Sequence, residues 1–545
     1  MAKKACRQDE AFIEQAYALF DDFYTKSTAL RQKCERNEEF YKANHYYDKA
    51  PREPGEPQPV TPVLFSTIES MLADLMDKYP EPIVLPQEEG DETLASQTED
   101  VLRYILKRRD YRQVYRKKCR QALIKGTSVQ EVFWDASLYG GLGDVNVRAW
   151  DIKQFLMDPM CEDFQQGRAC FKFAFVTPQW LQARYPWAMP LLRPDTYVHA
   201  GQDEDEIMVI EYWYKTGADA DARVHMALLA GHVLLEKSET ERPQGMYARG
   251  KYPFIVEPLY PIEGEAVGLS AIDVLKNMQI YADALDQIVL KNAMMSGKVK
   301  MLINRNAELE EDALCDWNRE VVRGSRIDDA SVRFLQPASL NPYFITHYQS
   351  KLEAIKEESG QTMFTRGETG RGVTAATAIL ALQEAGNKRS RLLVEQMFDG
   401  FESLCRMLIE VIAENYDETR TFRIRGEQGQ AYNVALKGEK LKHKSREGLE
   451  RFVEFDISVH VQQQSPYQTL VQNELAFELL QNGIIGPHEA LSMLSFEGKD
   501  KVLAMLEQSQ AQQAALQADS SQAPAAGMDE AAMMQALQQS GMAAQ

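Results

Sequence analysis

The sequence is poor in the features that usually announce chemistry. Its seven cysteines, Cys6, Cys34, Cys119, Cys161, Cys170, Cys315 and Cys405, are scattered, odd in number and never spaced as Cys-x-x-Cys. That excludes a disulfide framework or a cysteine zinc site and reads as reduced cytosolic thiols. No apolar run approaches the roughly 20 residues that span a bilayer. The opening Met1-Ala-Lys-Lys-Ala-Cys-Arg-Gln-Asp-Glu10 lacks the apolar core of a signal peptide. The expectation is a cytoplasmic product without membrane insertion. Positive charge is in deficit, with 61 Lys plus Arg against 81 Asp plus Glu, a net −20. So acidic a chain is ill suited to gripping nucleic acid through phosphates, although nucleic acid could slide past it.

Catalytic motifs are missing as well. There is no His-Glu-x-x-His, no Gly-x-Ser-x-Gly and no His/Cys cluster, and the eight histidines are dispersed. His225 and His460 fall on strand patterns and read as structural. Acidic runs such as Asp203-Glu-Asp-Glu206 and Glu308-Leu-Glu-Glu-Asp312 read as solvated faces. One near miss remains, Gly245-Met-Tyr-Ala-Arg-Gly250-Lys251-Tyr252. It has Walker A spacing, but Tyr252 stands where the magnesium-binding Ser or Thr belongs. Pro253 follows, and Phe254-Ile-Val-Glu-Pro258 reads as a strand, so no helix amino terminus is available for phosphates. The reading is a turn before a strand, with no catalytic residue, metal or cofactor.

What is present is length and helical periodicity. At 545 residues the chain has room for roughly three or four domains. Residues 8–48 carry aromatics and charges at helical spacing. Pro51, Pro54, Pro57, Pro59 and Pro62 then mark a linker, followed by an amphipathic helix over 63–78 and a longer one over Glu92–Lys125. From Thr127 to Tyr260 the pattern becomes β-rich: Ser128–Trp134, Asp144–Trp150, Ile207–Tyr214 and Arg223–Leu229 are expected strands. Gly140-Gly141, Gly217 and Gly231 mark turns between them. The fold class is α+β, with an antiparallel sheet in the body. No internal repeat is visible.

The second half has a distinctive order. Ser270 can cap a helix from Ala271 to about Met295, with Asp273 completing a capping box and Ile272, Leu275, Leu285, Ile288 and Val289 lining it. Gly297 ends it. A small α/β insert follows, with a strand at Val299–Ile303, a helix at Leu309–Asn318 and strands around Val321 and Val332–Leu335. Asn341-Pro342 starts a second helix of about five turns. The polar loop Gln361-Thr-Met-Phe-Thr-Arg-Gly-Glu-Thr-Gly-Arg-Gly372 comes next. A long helix from about Thr374 to Tyr416 then places Met397, Phe401, Leu404, Leu408 and Val411 on one face; at 1.5 Å per residue it would run roughly 60 Å. Strands at Thr421–Arg425 and Phe452–Val461 flank a charged excursion, Lys437–Arg451. Helices beginning at Pro466 and Pro487 precede a Gln/Ala/Met-rich tail from Gln508.

Gly372-Val-Thr-Ala-Ala-Thr-Ala-Ile-Leu-Ala-Leu-Gln-Glu-Ala-Gly-Asn-Lys-Arg-Ser-Arg391 resembles the segment that opens the long wing helix of portal (head–tail connector) proteins of tailed bacteriophages. The amino-terminal third is similar too, through Phe40-Tyr41, Pro59-Val-Thr-Pro-Val-Leu-Phe-Ser-Thr-Ile-Glu-Ser-Met-Leu-Ala-Asp-Leu-Met76 and Tyr79-Pro-Glu-Pro-Ile-Val-Leu-Pro86. The ordering of segments from about residue 10 to 500 carries the likeness. It implies a wing over 1–269, a first stem helix over 270–296, a clip over 297–340 and a second stem helix over 341–360. A tunnel loop would occupy 361–373, a wing spine helix with strands 374–464, and a helical crown with a carboxy-terminal tail 465–545.

The resemblance implies a non-enzymatic ring of twelve subunits at a capsid vertex, through which double-stranded DNA is packaged and ejected. The terminase large subunit and then a head–tail adaptor would dock on it, and the major capsid and scaffolding proteins would surround it. Arg366, Gly367, Gly370, Arg371 and Gly372 of the tunnel loop are the expected DNA-channel residues. Glu310, Glu311 and Trp317 of the clip are the expected docking residues. The Lys388-Arg389-Ser-Arg391 cluster reads as a polar face of the spine. The alternative is an ATPase or nuclease of the packaging machinery, which should show a phosphate loop entering a helix or a carboxylate metal cluster.

Overall fold

The structure is a computed structural model. It describes residues 10–47, 56–88, 90–193, 206–217, 222–247, 250–297, 300–304, 308–310, 312, 321–326, 332–335, 339–360, 388–425, 431–444, 450–461 and 466–494. The chain forms two compact units, one of Met1–Phe422 with Asn433–Gln462 and one of Arg423–Tyr432 with Gln463–Gln545.

In the first unit, helices α1 (Glu10–Lys26) and α2 (Thr28–Tyr41) precede α3 (Val63–Asp77). Strand β1 (Pro80–Pro86) follows, a segment whose prolines hide its strand character in the sequence. Pro80, Pro82 and Pro86 share one side of the pleat with Val84, whose N–H is taken by Glu99 Oε2 at 2.9 Å rather than by a strand. The missing N–H groups therefore fall on the unpaired edge, where proline is tolerated.

The helix expected over Glu92–Lys125 is two helices, α4 (Glu92–Arg108) and α5 (Tyr111–Lys125). Asp110 breaks them with a left-handed backbone, φ +52°, a conformation that Asp tolerates better than most residues. The break turns Tyr111, Tyr115 and Cys119 into the core.

The β-rich body forms two antiparallel sheets. Strands β2 (Thr127–Asp135) and β3 (Asp144–Trp150) pair, and β2 also pairs with β9 (Phe254–Pro258). The second sheet runs β4 (Phe155–Met157), β5 (Ala169–Val176), β6 (Ile207–Thr216), β7 (Arg223–Ala230) and β8 (Val233–Lys237) in sequence order. One face, with Phe171, Phe173, Met208 and Ile210, packs on Tyr17, Phe20 and Phe23 of α1. Cys170, Trp213 and Val224 join Val129 and Phe254 in a second core.

A 27-residue helix α6 (Ala271–Gly297) follows. After it, Lys300–Ile303 pairs with Val332–Leu335. The helix expected from Leu309 does not start there. Glu308–Leu309 is a strand pairing with Gly324–Ser325, which is also where the strand expected around Val321 lies. Residues 313–320 lie outside the described residues. Helix α7 (Tyr343–Glu358) packs along α6. The described part of the long helix, α8 (Lys388–Asn415), buries Met397, Phe401, Leu404, Leu408 and Val411 as its spacing predicts. It lies against β2, β9 and Phe455–Val461, and the last of these pairs with β1. The second unit contains helices Pro466–Gln481 and Pro487–Met493.

Candidate functional site

Helix α6 begins as its sequence dictates. Ser270 Oγ accepts from the Asp273 N–H at 2.9 Å, and Asp273 Oδ2 accepts from the Ser270 N–H at 3.0 Å. The pair is a reciprocal cap. Asn37 of α2 donates to both residues, at 3.0 and 3.1 Å, which fixes the helix start to the amino-terminal helices. Burial alone would raise the Asp273 carboxyl. Hydrogen bonds from Lys276, Ser270 and Asn37, with the Lys33 charge, outweigh it and hold the group at about 2.

The inner face of α6 is unusually polar. Gln279, Asp283 and Gln287 recur every four residues and point inward. The Asp283 carboxylate is buried against His45 Nδ1 at 2.6 Å and accepts from Gln279 Nε2 at 2.8 Å. Gln279 also donates to the Thr61 carbonyl at 2.8 Å, and Gln287 to that of Pro57 at 3.0 Å. The segment around Pro57–Thr61 is thereby strapped along the helix, and Thr61 Oγ1 reaches Tyr348 OH of α7 at 3.0 Å.

The outer face is the reverse. Val274, Tyr281, Ile288 and Met295 stand seven residues apart and are 47%, 64%, 45% and 52% exposed. The exposed positions between them are Asn277, Ala284 and Lys291, so this stripe carries one large apolar side chain per seven residues. A surface helix normally turns its apolar stripe inward. Here Ile288, expected among the lining residues, faces out, Leu285 and Val289 are half-buried, and only Ile272 and Leu275 of that group are buried. At the start of α7, Tyr343 and Ile345 are also exposed, 64% and 49%. Large apolar side chains exposed at regular intervals along a helix, with Tyr343 and Ile345 on the adjacent helix start, suit a contact site.

A buried ionic joint fixes α8. Lys118 Nζ lies 2.6 Å from Glu257 Oε1 and 3.4 Å from the Met397 carbonyl. Gln130 Nε2 holds the other carboxylate oxygen at 3.0 Å. Burial pushes the Glu257 carboxyl up, against the opposing pull of Lys118 and Gln130. A Cβ added at Gly400 of α8 would meet Glu257 Oε1 at 1.5 Å, so only glycine admits the carboxylate there.

Of the residues singled out from sequence, Glu310 is exposed beside the Glu308–Leu309 strand, its N–H bonded to the Arg323 carbonyl at 3.3 Å. Glu311, Trp317, Arg366, Gly367, Gly370, Arg371 and Gly372 lie outside the described residues, as does the tail from Gln508. Residues 245–247 and 250–252 of the Walker-like segment form no helix, and Gly245 and Gly250 have φ +97° and +62°. Tyr252 is fully buried with its hydroxyl donating to the Gly167 carbonyl at 3.0 Å, and β9 follows. Among the described residues no acidic or His/Cys group is arranged to hold a metal, and no helix is long and apolar enough to cross a membrane. Sequence reasoning passed over the inward Gln279–Asp283–Gln287 stripe, although a polar residue every fourth position was its signal.

The family model for phage P22-like portal proteins matches residues 17–545. No curated protein matches the chain.

Proposed function

The chain belongs to the phage P22-like portal protein family, and from that premise we propose that its copies close into a ring, of twelve subunits, around a DNA channel at one capsid vertex. Portal proteins are structural components of the virion. In this reading α6 and α7 are the stem, residues 297–340 the clip, and residues 361–373 a tunnel loop whose Arg366 and Arg371 touch passing phosphates while Gly367, Gly370 and Gly372 let the backbone change shape. Exposed Glu310, with Glu311 and Trp317, would receive the terminase large subunit during packaging and a head–tail adaptor afterwards. Major capsid and scaffolding proteins would contact the wing.

The observation that supports this reading best is the inverted amphipathicity of α6. Its polar stripe is consumed inside the subunit, through His45 and the Pro57–Thr61 segment, while Val274, Tyr281, Ile288 and Met295 face out. A neighbouring copy placing a helix alongside would bury Val274, Tyr281, Ile288 and Met295, which recur every seven residues. Full burial of such a side chain is worth roughly 1.5–3 kcal/mol, of which about half is still to be gained at these half-exposed positions. The test is Tyr281→Glu with Ile288→Glu, followed by sedimentation velocity and circular dichroism. The reading expects folded monomers in place of large assemblies, and assemblies of unchanged size would remove its support.

A further inference from the structure

The net charge of −20 conceals one cationic face. Helix α5 carries Arg112, Arg116, Lys117, Lys118, Arg120 and Lys125 and no acid, directly after Lys107 and Arg108 at the end of α4. Three of these cations are spent inside the fold. Lys118 is buried on Glu257, Lys125 lies 2.7 Å from both Glu38 and Asp151, and Arg120 donates to Glu69. Lys107, Arg108, Arg112, Arg116 and Lys117 are exposed. Among the described residues no carboxylate pairs with Lys107, Arg108 or Arg116.

One exposed carboxylate, Asp110, sits among these five cations and accepts from Gln113, and Lys117 donates to the Ala149 carbonyl at 3.4 Å. Arg116 and Lys117 border a hollow of about 460 Å³ whose two carboxylates, Glu38 and Asp151, are already held by Lys125 and Lys153. Arg112 occupies the first turn of α5, two residues after the N-cap Asp110, and lies over the Tyr79 ring at 5.7 Å. The face also lacks an apolar centre, since no large apolar side chain of α5 is among the exposed ones. Protein interfaces are built the other way, with aromatic residues enriched and charge depleted at their core. Cations without such a core suit a phosphodiester backbone, whose contacts position the duplex but read no bases.

We propose that the exposed cations on either side of the Asp110 break, Lys107 and Arg108 of α4 and Arg112, Arg116 and Lys117 of α5, bind the backbone of double-stranded DNA without sequence preference. The identity of the anion rests on the portal reading. The test measures binding of a linear duplex by the assembled protein across a salt series, for the unaltered chain and for Arg112→Gln/Arg116→Gln/Lys117→Gln. With three phosphate-binding cations removed, the slope of log K against log salt should become shallower by about 2.7, and affinity near 0.1 M salt should fall on the order of 10²-fold. A second variant, Lys107→Gln/Arg108→Gln on α4, should flatten the slope by about 1.8. Unchanged slopes in both variants, or no salt-dependent binding by the unaltered protein, would overturn the proposal. So would loss of assembly by the triple variant with its fold retained, because the face would then contact a second acidic copy. Failure of the portal reading itself shows separately, as an unaltered protein that forms no rings in the same sample.

Discussion

Lys118→Met should be among the most damaging single changes in the first unit, although it removes no apolar contact. The Lys118 side chain is fully buried, and its ammonium lies 2.6 Å from Glu257 Oε1. Methionine fills nearly the same volume, so the loss is almost purely electrostatic. It strands a buried carboxylate held only by Gln130, a situation that typically costs roughly 3–5 kcal/mol of a total stability of about 5–15 kcal/mol. Gly400→Ala should act on the same joint from the other side. Its Cβ would fall 1.5 Å from Glu257 Oε1 and 2.0 Å from Cδ, so the carboxylate must leave Lys118.

The pH dependence of Lys118→Met has a definite sign. Burial raises the folded carboxyl of Glu257 above its unfolded value of 4.5, and Lys118 is the main opposing influence. Without it the protonated form is favoured in the fold. The variant is then relatively most stable below pH about 4.5 and loses ground as pH rises through the raised folded value. Guanidinium denaturation followed by tryptophan fluorescence at pH 5 and pH 8 would measure this. Adding Glu257→Leu should restore most of the stability, since replacing both charges by apolar groups is often nearly neutral. A loss under about 1 kcal/mol in the single variant, or a double variant no better than the single, would refute an energetic role for the joint.

Ser270→Ala should cost about 1 kcal/mol through loss of the cap. The Asp273 contribution should be fully present above its unfolded value of 3.8 and fade as pH falls towards 2, which acid titration of unfolding would show for the unaltered chain and not for Asp273→Asn. Arg366→Ala with Arg371→Ala should leave thermal unfolding and assembly unchanged, because loop surface changes cost under about 0.5 kcal/mol, while packaging in a defined assay slows. A destabilised subunit would instead make those side chains partners in the fold. Purified protein should hydrolyse no ATP above background, with Lys251→Ala indistinguishable from the unaltered chain; turnover abolished by that substitution would reopen the enzymatic reading.

Where local chemistry decides the structure, the sequence is legible. The Ser270–Asp273 cap, the Pro487 helix start, the strand Phe254–Pro258 and the buried stripe of α8 stand where spacing and residue type place them. The Asp110 break was not legible, because an aspartate between two helical patterns carries no proline or glycine to announce a left-handed turn. β1 was hidden by its prolines, whose tolerance depends on which edge stays unpaired, a tertiary fact. Leu309 read as helical because the acids beside it suit a helix start, yet pairing with Gly324 decides otherwise. The cationic face was legible as the run from Arg112 to Lys118, but the whole-chain charge averaged it away. Which stripe of α6 faces out follows only from what His45 and Pro57–Thr61 cover.

The most direct measurement is electron-microscope imaging of the purified protein beside Tyr281→Glu/Ile288→Glu. The portal reading predicts rings with a central hole for the unaltered chain and single folded subunits for the variant. Compact monomers from the unaltered chain, or rings that survive both glutamates, would contradict a ring held through the outer face of α6.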